Sequence, residues 1–249
     1  MINKEQSSEN IIKIERIDST NTFLKELAHK QTLKEGAVAV TANQTKGKGQ
    51  RGNSWESEAG KNITCSLILY PSFLPPQQIF LISEAVSLGV KETLDAYTAG
   101  ITIKWPNDIY HNERKIAGIL IENELTGNKY NLSIVGIGLN INQEYFISDA
   151  PNPVSLKQIT GRDYNTEIIL LEMLKNIMTW YDRLKLRDTE NISCMYHEAL
   201  YRKTGLHFFE DNDGIFYARF DRVSDDGFLH LITDRNEKRS YAFKSVKFV

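Results

Sequence analysis

Two long apolar runs separated by a short polar turn occupy residues 115 to 142, and they constrain the fold more than any other feature. The runs are KIAGILIENEL and KYNLSIVGIGLNIN, and Thr126-Gly127-Asn128 between them has the composition of a hairpin turn. Strands joined in this way pair antiparallel. The pattern therefore predicts a mixed or antiparallel sheet at the centre of the chain.

Further elements are predicted on the amino-terminal side of this hairpin. Residues 11 to 17 alternate between apolar and polar side chains, and Asp18-Ser19-Thr20 then offers N-cap chemistry for a helix. Other strands are predicted at 36–43 and 62–70, a helix from about 77 to 99, and short strands on both sides of Trp105-Pro106.

The carboxy-terminal part changes in pattern near Gly205. Residues 143 to 165 are loop-rich, and helical periodicity then predicts helices at 166–187 and 190–203. Beyond these, short alternating runs are separated by turns such as Asp213-Gly214 and Asp226-Gly227, which indicates a small β-barrel of about 45 residues. The expected organisation is a tail at 1–10, a main domain at 11–203 and a small domain at 204–249.

Composition and charge narrow the classes of protein. The chain has 249 residues, of which 41% are hydrophobic and 25% charged, as expected for a globular protein with a substantial core. No apolar run approaches the roughly 20 residues that cross a bilayer, and the polar N-terminus lacks the features of a secretory signal, so we expect a cytoplasmic protein without a membrane partner. Two cysteines cannot form a disulfide framework and are expected to be buried, reduced thiols.

The distribution of cations points to a small anionic ligand. The net charge of −2 argues against general nucleic-acid binding, yet four cations cluster early in the chain: Lys46, Lys48, Arg51 and Lys61. All but Lys61 lie within the glycine-rich segment KGKGQRGNSW, residues 46 to 55, in which backbone amides could turn inward toward an anion. A flexible basic surface loop is the better interpretation of such a motif alone. The segment is neither a P-loop nor a Rossmann fingerprint, because the Gly-Lys-Ser/Thr ending and a following helix are missing.

Two further segments carry candidate binding residues. In KWPNDIYHNERKIAGILIE, residues 104 to 122, Lys115 enters a strand that contains Gly118, which predicts a cation held against a closely approaching ligand. In GIGLNIN, residues 136 to 142, Gly136 and Gly138 leave space on one face of a strand. A β-bulge or the packing of neighbouring side chains explains these glycines equally well.

Five motifs, in this order and approximate spacing, resemble the biotin protein ligases: STN at 19–21, Gln44 before GKGQRGNSW, KWPND, RKIAGILIE and GIGLNIN. The resemblance covers nearly the whole chain. It implies an α+β fold whose catalytic domain is related to class II aminoacyl-tRNA synthetases, with a mixed or antiparallel sheet flanked by helices and a small SH3-like C-terminal β-barrel. Fewer than a dozen residues precede the first strand, so we expect the short form of the family, without a DNA-binding domain.

The resemblance also implies a two-step reaction. Biotin and ATP form biotinyl-5′-adenylate and pyrophosphate, and biotin then passes to a lysine of a biotin carboxyl carrier domain of a biotin-dependent carboxylase. Mg²⁺ would arrive with ATP, held mostly by phosphate oxygens rather than by a protein metal site. The enzyme is expected to be a monomer or a homodimer.

Site residues follow from the motif positions. The resemblance assigns biotin binding to Ser19, Thr20, Asn21, Gln44, Lys48, Gly49, Gln50, Trp55, Lys115, Gly118, Gly136 and Gly138. It assigns nucleotide binding to Arg51, Gly52, Trp55, Asn107, Lys115, Asn140 and Asn142. Catalysis is assigned to Lys115, which would stabilise the carboxylate and the phosphate electrostatically, together with Lys48, Arg51 and Asp108.

The glycine-rich loop departs from a common pattern of the family. Several members have Gly-Arg-Gly-Arg where this chain has Lys48 and Gln50, so Arg51 is expected to compensate as a phosphate contact in a lid over the adenylate.

Other functions remain alternatives. A lipoate or octanoate protein ligase shares the fold, but its Arg-Arg-x-Ser-Gly-Gly-Gly signature is absent from the sequence. A biotin-sensing regulator would need a module that reads DNA, and a non-catalytic binding protein would not need Lys115 and the basic loop. The five histidines lack the spacing of metal ligands.

Overall fold

The computed structural model describes residues 10–50, 53–127, 129–148 and 150–249. Most of the expected tail and Asn128 of the expected turn lie outside these ranges. The strands are β1 (Ile11–Ile17), β2 (Val38–Gln44), β3 (Ile63–Leu69), β4 (Ile101–Lys104), β5 (Asp108–His111), β6 (Arg114–Thr126), β7 (Lys129–Leu139), β8 (His207–Asp211), β9 (Gly214–Val223), β10 (Leu229–Thr233), β11 (Lys238–Tyr241) and β12 (Lys247–Phe248). The helices are α1 (Thr20–Lys30), α2 (Phe80–Asp95), α3 (Leu156–Thr160), α4 (Thr166–Lys185) and α5 (Thr189–Glu198).

The first seven strands form one sheet in the order β1-β2-β3-β7-β6-β5-β4. Only β1 and β2 pair parallel, and each other neighbouring pair is antiparallel. The β6 and β7 strands pair along most of their length, with Gly118 opposite Gly138. The hairpin and the mixed sheet expected from the sequence are therefore confirmed.

Helices cover both faces of this sheet. On one face α1 buries Leu24 against Ile68 of β3 and Ile134 of β7. On the other face α2, α4 and α5 contribute to the larger core, in which Met173 and Ile177 of α4 are fully buried. Because β3 is covered on both sides, all seven of its residues are buried, and its sequence does not alternate.

Several helix boundaries differ from the expected ones. The α2 helix begins at Phe80 after a separate 3-10 turn at Pro76–Gln78, because proline favours the first turn of a helix. The α5 helix ends at Glu198 rather than near 203, since Ile103 of β4 exchanges backbone hydrogen bonds with Ala199 and Tyr201. An additional short helix, α3, lies in the segment expected to be loop, where Ser155 and Gln158 form a capping box.

The last five strands form a second, antiparallel sheet in the order β11-β10-β9-β8-β12. Among the described residues, β11 and β12 are the two ends of this order and do not pair with each other. The small β-rich unit is thus present, whereas its closure into a barrel is not seen. None of the helices in the described ranges is long and apolar enough to span a membrane.

The second sheet is attached to the first through buried polar and aromatic contacts. Trp105 donates from Nε1 to the carbonyl of Gly227 at 3.0 Å, and the ring of Phe243 lies against the Trp105 ring. The ammonium of Lys104 lies 4.7 Å from the ring centroid of Tyr110 and 5.2 Å from that of Phe248 in β12. Through these cation–π contacts, Lys104 connects the last strand, β12, to Tyr110 of β5 in the main sheet.

A buried carboxyl group lies on the helical side of the molecule. Glu84 of α2 is 1% exposed, and the hydroxyl of Ser193 in α5 donates to its Oε2 at 2.7 Å. Burial raises the pKa of Glu84 to about 8, opposed by the hydrogen bond from Ser193 and assisted by the charge of Asp225. The carboxyl group of Glu84 is therefore mostly protonated at pH values below about 8.

Candidate functional site

A cavity of about 750 Å³ lies over the face of the main sheet formed by β3, β6 and β7. Its wall includes fifteen of the residues that the motifs predicted: Ser19, Thr20, Asn21, Gln44, Lys48, Gly49, Gln50, Trp55, Asn107, Asp108, Lys115, Gly118, Gly136, Gly138 and Asn140. Motifs that are more than 100 residues apart in sequence, such as STN and GIGLNIN, therefore meet in one site.

One end of the cavity is a connected set of buried polar groups. Thr20 donates its backbone N–H to Gln44 Oε1 at 2.9 Å. The Oγ of Ser66 lies 2.7 Å from Thr20 Oγ1 and 2.5 Å from Asn21 Oδ1. Asn21 in turn donates from Nδ2 to Glu122 Oε2 at 2.7 Å. This end can exchange hydrogen bonds with a compact polar group that has donors and an acceptor.

Gly136 and Gly138 make room for protein side chains that line the cavity. A Cβ added at Gly136 would lie 2.9 Å from Asn21 Cγ and closer still to its Oδ1. One added at Gly138 would lie 2.6 Å from Trp55 Cζ2 and closer still to its Nε1. Of the explanations open for these glycines, the packing of neighbouring side chains is the one that the structure supports.

The middle of the cavity contains an ion pair beside an indole ring. Lys115 Nζ lies 2.6 Å from Asp108 Oδ1, and both side chains are about three-quarters buried. The same ammonium is 5.6 Å from the ring centroid of Trp55, whose Nε1 is buried without a hydrogen-bond partner. A cation therefore lines the cavity, where it could pair with an anionic group.

The described part of the glycine-rich loop is a short hairpin. Gly49 donates to the carbonyl of Asn53 at 2.7 Å, and Trp55 donates to that of Gly47 at 3.0 Å. Lys48 reaches Thr22 Oγ1 at 2.9 Å, and Lys244 from the turn between β11 and β12 reaches the carbonyl of Gln50 at 3.0 Å. Arg51 and Gly52, which the motif assigned to catalysis and nucleotide binding, lie outside the described residues.

Glu56, directly after this loop, connects it to another wall of the cavity. Its carboxylate accepts from the backbone N–H of Ile147 at 3.0 Å and of Ser148 at 2.8 Å, and from Gln143 Nε2 at 3.1 Å. Burial raises the pKa of Glu56, but these hydrogen bonds outweigh it and hold the pKa below its usual value. The segment 143–148 is thereby fixed beside the cavity, with Phe146 and Ser148 lining it.

The predicted asparagines differ in their positions. Asn140 is 2% exposed and donates to the carbonyl of Val154, while its Oδ1 has no partner. Asn107 donates to the carbonyl of Ile119 and also lines the cavity. Asn142 does not line it, because both polar atoms of its side chain bind the backbone of Tyr164.

Sequence reasoning missed Ser66, Glu56 and Glu122. Ser66 is a lone hydroxyl in an apolar strand, and each carboxylate is an ordinary surface residue by its local pattern, so nothing in the sequence singled them out. Within the described residues, no three histidine, cysteine, aspartate or glutamate side chains are placed to hold a metal ion.

Comparisons with known proteins agree with the geometry of the cavity. Residues 13–140 match the model of the biotin/lipoate A/B protein ligase family. The bifunctional ligase/repressor BirA of Bacillus subtilis is 30% identical over 235 residues, covering 91% of this chain and 70% of that protein. The biotin–protein ligase of Homo sapiens is 36% identical over 118 residues, covering 45% of this chain and 16% of that protein.

Solved structures show the same fold. A biotin protein ligase from Aquifex aeolicus in complex with biotin and ATP superposes with a TM-score of 0.80 at 25% identity, covering 97% of this chain and 100% of that one. A biotin protein ligase from Leishmania major in complex with biotinyl-5-AMP has a TM-score of 0.64 at 18% identity, covering 94% and 98%.

Proposed function

The chain belongs to the biotin/lipoate A/B protein ligase family, and from this membership and the cavity we infer that it is a biotin protein ligase. The observation that carries the inference is that one cavity brings together a buried polar end, the glycine-rich loop, and Lys115 beside Trp55. The polar end suits a cyclic urea, and the cation suits a carboxylate that meets a phosphate.

In the first step, a carboxylate oxygen of biotin attacks the α-phosphorus of ATP, the α–β phosphoanhydride bond breaks, and pyrophosphate leaves. Both reactants are anionic, so a cation between them lowers the barrier. Lys115 is the cation in the described residues that lies in the middle of the cavity, and Asp108 holds its ammonium in place before substrates bind.

In the second step, the ε-amine of an acceptor lysine attacks the acyl carbon of biotinyl-5′-adenylate, and AMP leaves. The amine loses its proton, and Asp108 is our candidate for accepting or orienting it, because its carboxylate lines the cavity beside Lys115. The proposed partner is a biotin carboxyl carrier domain.

Mg²⁺ fits the site as an ion that enters with ATP. Asp108 already pairs with Lys115, and Glu56 is occupied by backbone amides, so the two carboxylates among the described residues of the cavity wall do not form a metal cage. Phosphate oxygens would supply most of the ligands, and the ion would neutralise phosphate charge.

The glycine-rich loop is proposed as a lid over the adenylate. Lys48 and Gln50 line the cavity, and Arg51 and Gly52 continue the same loop, where backbone amides and cations are suited to phosphate oxygens. Single alanine variants of Lys48, Gln50 and Arg51 identify the side chain that contacts the phosphate, because its loss raises the KM for ATP most.

The finer architecture and the cellular setting are also proposals. We propose a catalytic domain at 11–203 and an SH3-like barrel at 204–249, for which the antiparallel order of the second sheet is the support. A cytoplasmic location and a monomer or homodimer remain expectations from the sequence and the family.

The direct test is transfer of biotin to a carrier. Purified protein is incubated with ATP, Mg²⁺, a biotin carboxyl carrier domain and either biotin or lipoate, and the carrier mass is measured. We expect modification with biotin, and none with biotin when the acceptor lysine is replaced by arginine. Transfer of lipoate but not of biotin would refute the proposal.

A further inference from the structure

Glu122 lies behind the polar end of the cavity and does not line it. Its Oε2 accepts from Asn21 Nδ2 at 2.7 Å, and the second N–H of that amide group points toward the carbonyl of Leu120 at 3.4 Å. Both partners are acceptors without protons to give. Asn21 therefore has one favourable orientation, with Nδ2 toward β6 and Oδ1 toward Ser66.

This orientation determines the direction of the next hydrogen bonds. Asn21 Oδ1 can only accept, so Ser66, whose Oγ is 2.5 Å away, donates its single proton to it. Ser66 is fully buried, and its remaining neighbour in this set is Thr20 Oγ1 at 2.7 Å. Since Ser66 has no second proton, the shorter contact requires Thr20 to donate to Ser66 rather than to Gln44 Oε1, which lies 3.2 Å away and already accepts the backbone N–H of Thr20. The series therefore runs from Thr20 to Glu122.

We propose that Glu122 is a positioning residue for biotin recognition, because it fixes Asn21 and the two hydroxyls in the direction that presents acceptor oxygens to the ligand. Asn21 Oδ1 and Thr20 Oγ1 retain lone pairs beside the cavity, so these two atoms are suited to N–H donors such as those of a ureido ring. The inference rests on the proposed function and adds a residue that touches no substrate.

The test replaces Glu122 with glutamine, which has nearly the same shape but offers both an acceptor and a donor to Asn21. The amide of Asn21 can then turn over, and part of the population presents N–H groups to the ligand. We expect the Kd for biotin, measured by calorimetry, to rise about tenfold. The KM for ATP and the kcat at saturating biotin remain within about twofold of wild type.

Two measurements separate positioning from a structural effect. Biotin analogues methylated at either ureido nitrogen are discriminated from biotin by the wild type, and Glu122→Gln reduces that discrimination. In an Asn21→Ala background, Glu122→Gln produces no further loss of biotin affinity, because Glu122 acts through Asn21. The second measurement remains informative if the single variant is less stable.

Glu124→Gln is the matched control. Glu124 lies on the same face of β6 but pairs with Lys25 at 2.8 Å and His29 at 2.9 Å, so biotin affinity is expected to stay unchanged. The inference about Glu122 is overturned, without affecting the proposed function, if the Kd for biotin is unchanged in Glu122→Gln. It is likewise overturned if Glu122→Gln lowers biotin affinity equally in the wild-type and Asn21→Ala backgrounds. A wild-type protein that neither binds biotin nor releases pyrophosphate overturns the proposed function with it.

Discussion

Replacing Gly138 with alanine tests whether the floor of the cavity depends on a strand without side chains at this position. The new Cβ would lie 2.6 Å from Trp55 Cζ2 and closer still to Cε2 and Nε1, whereas carbon atoms in contact are about 3.5–4.0 Å apart, so the indole must move by more than about 1 Å. The backbone cannot yield easily, because Gly138 pairs with Thr64 on one side and Gly118 on the other.

The expected cost is that of overpacking a filled core, about 1–3 kcal/mol. For a chain of this length such a loss lowers the Tm by roughly 2–4 °C for each kcal/mol. The same displacement moves Trp55 relative to Lys115, which lies 5.6 Å from its ring centroid, so adenylate formation slows as well.

Thermal unfolding and pyrophosphate release with ATP and biotin measure the two effects. Trp55→Leu in the Gly138→Ala background removes the overlap and is expected to recover part of the lost stability but not the activity. Gly118→Ala is the milder comparison, since its Cβ would lie 3.1 Å from Trp55 Cζ3. A Gly138→Ala variant with wild-type Tm and wild-type pyrophosphate release would refute this account of the cavity floor.

Three more predictions concern charged groups. Lys115→Met is expected to slow adenylate formation by about 100-fold or more without lowering the Tm. The control Lys46→Met removes an exposed cation paired with Asp18 and leaves the rate unchanged. Equal rates for both variants would contradict the role of Lys115. Glu56→Gln weakens the attachment of segment 143–148, so the KM for ATP is expected to rise about tenfold while the KM for biotin stays constant. A parallel rise in both KM values would instead indicate that the whole cavity wall has become less ordered. The pKa of buried Glu84 is raised to about 8, so the stability that Glu84 contributes is complete below its ordinary pKa of 4.5 and is lost as the pH rises through about 8. The urea midpoints measured at pH 5 and at pH 9 should therefore converge in Glu84→Gln. An undiminished difference between the two midpoints would exclude Glu84 as its cause.

The central hairpin was predictable because its signals are local. The apolar runs and the turn residues of 115–142 are close in sequence, and they determine a strand pair without help from distant parts of the chain. The end of α5 was not predictable in this way. It depends on hydrogen bonds between Ile103 and Ala199 that form only after the sheet and the helices have packed.

The residues of the candidate site also differ in whether local sequence signals identify them. Motif residues such as Gln44 and Lys115 lie in segments of distinctive composition, and the structure places them in the wall of the cavity. Ser66 and Glu122 acquire importance only from Asn21, which is 45 and 101 residues away from them in sequence. The assignment of Asn142 placed it at the ligand, whereas its amide group instead supports the backbone of Tyr164.

The aromatic surroundings of Lys104 have a consequence for how the protein unfolds. Phe248 of the last strand and Tyr110 of the main sheet share one ammonium group, and Tyr110 also lines the cavity. Separating the two sheets would therefore expose a half-buried cation together with the rings around it. Heat is expected to melt both sheets in a single cooperative transition, so the catalytic centre and the final strand persist or disappear together.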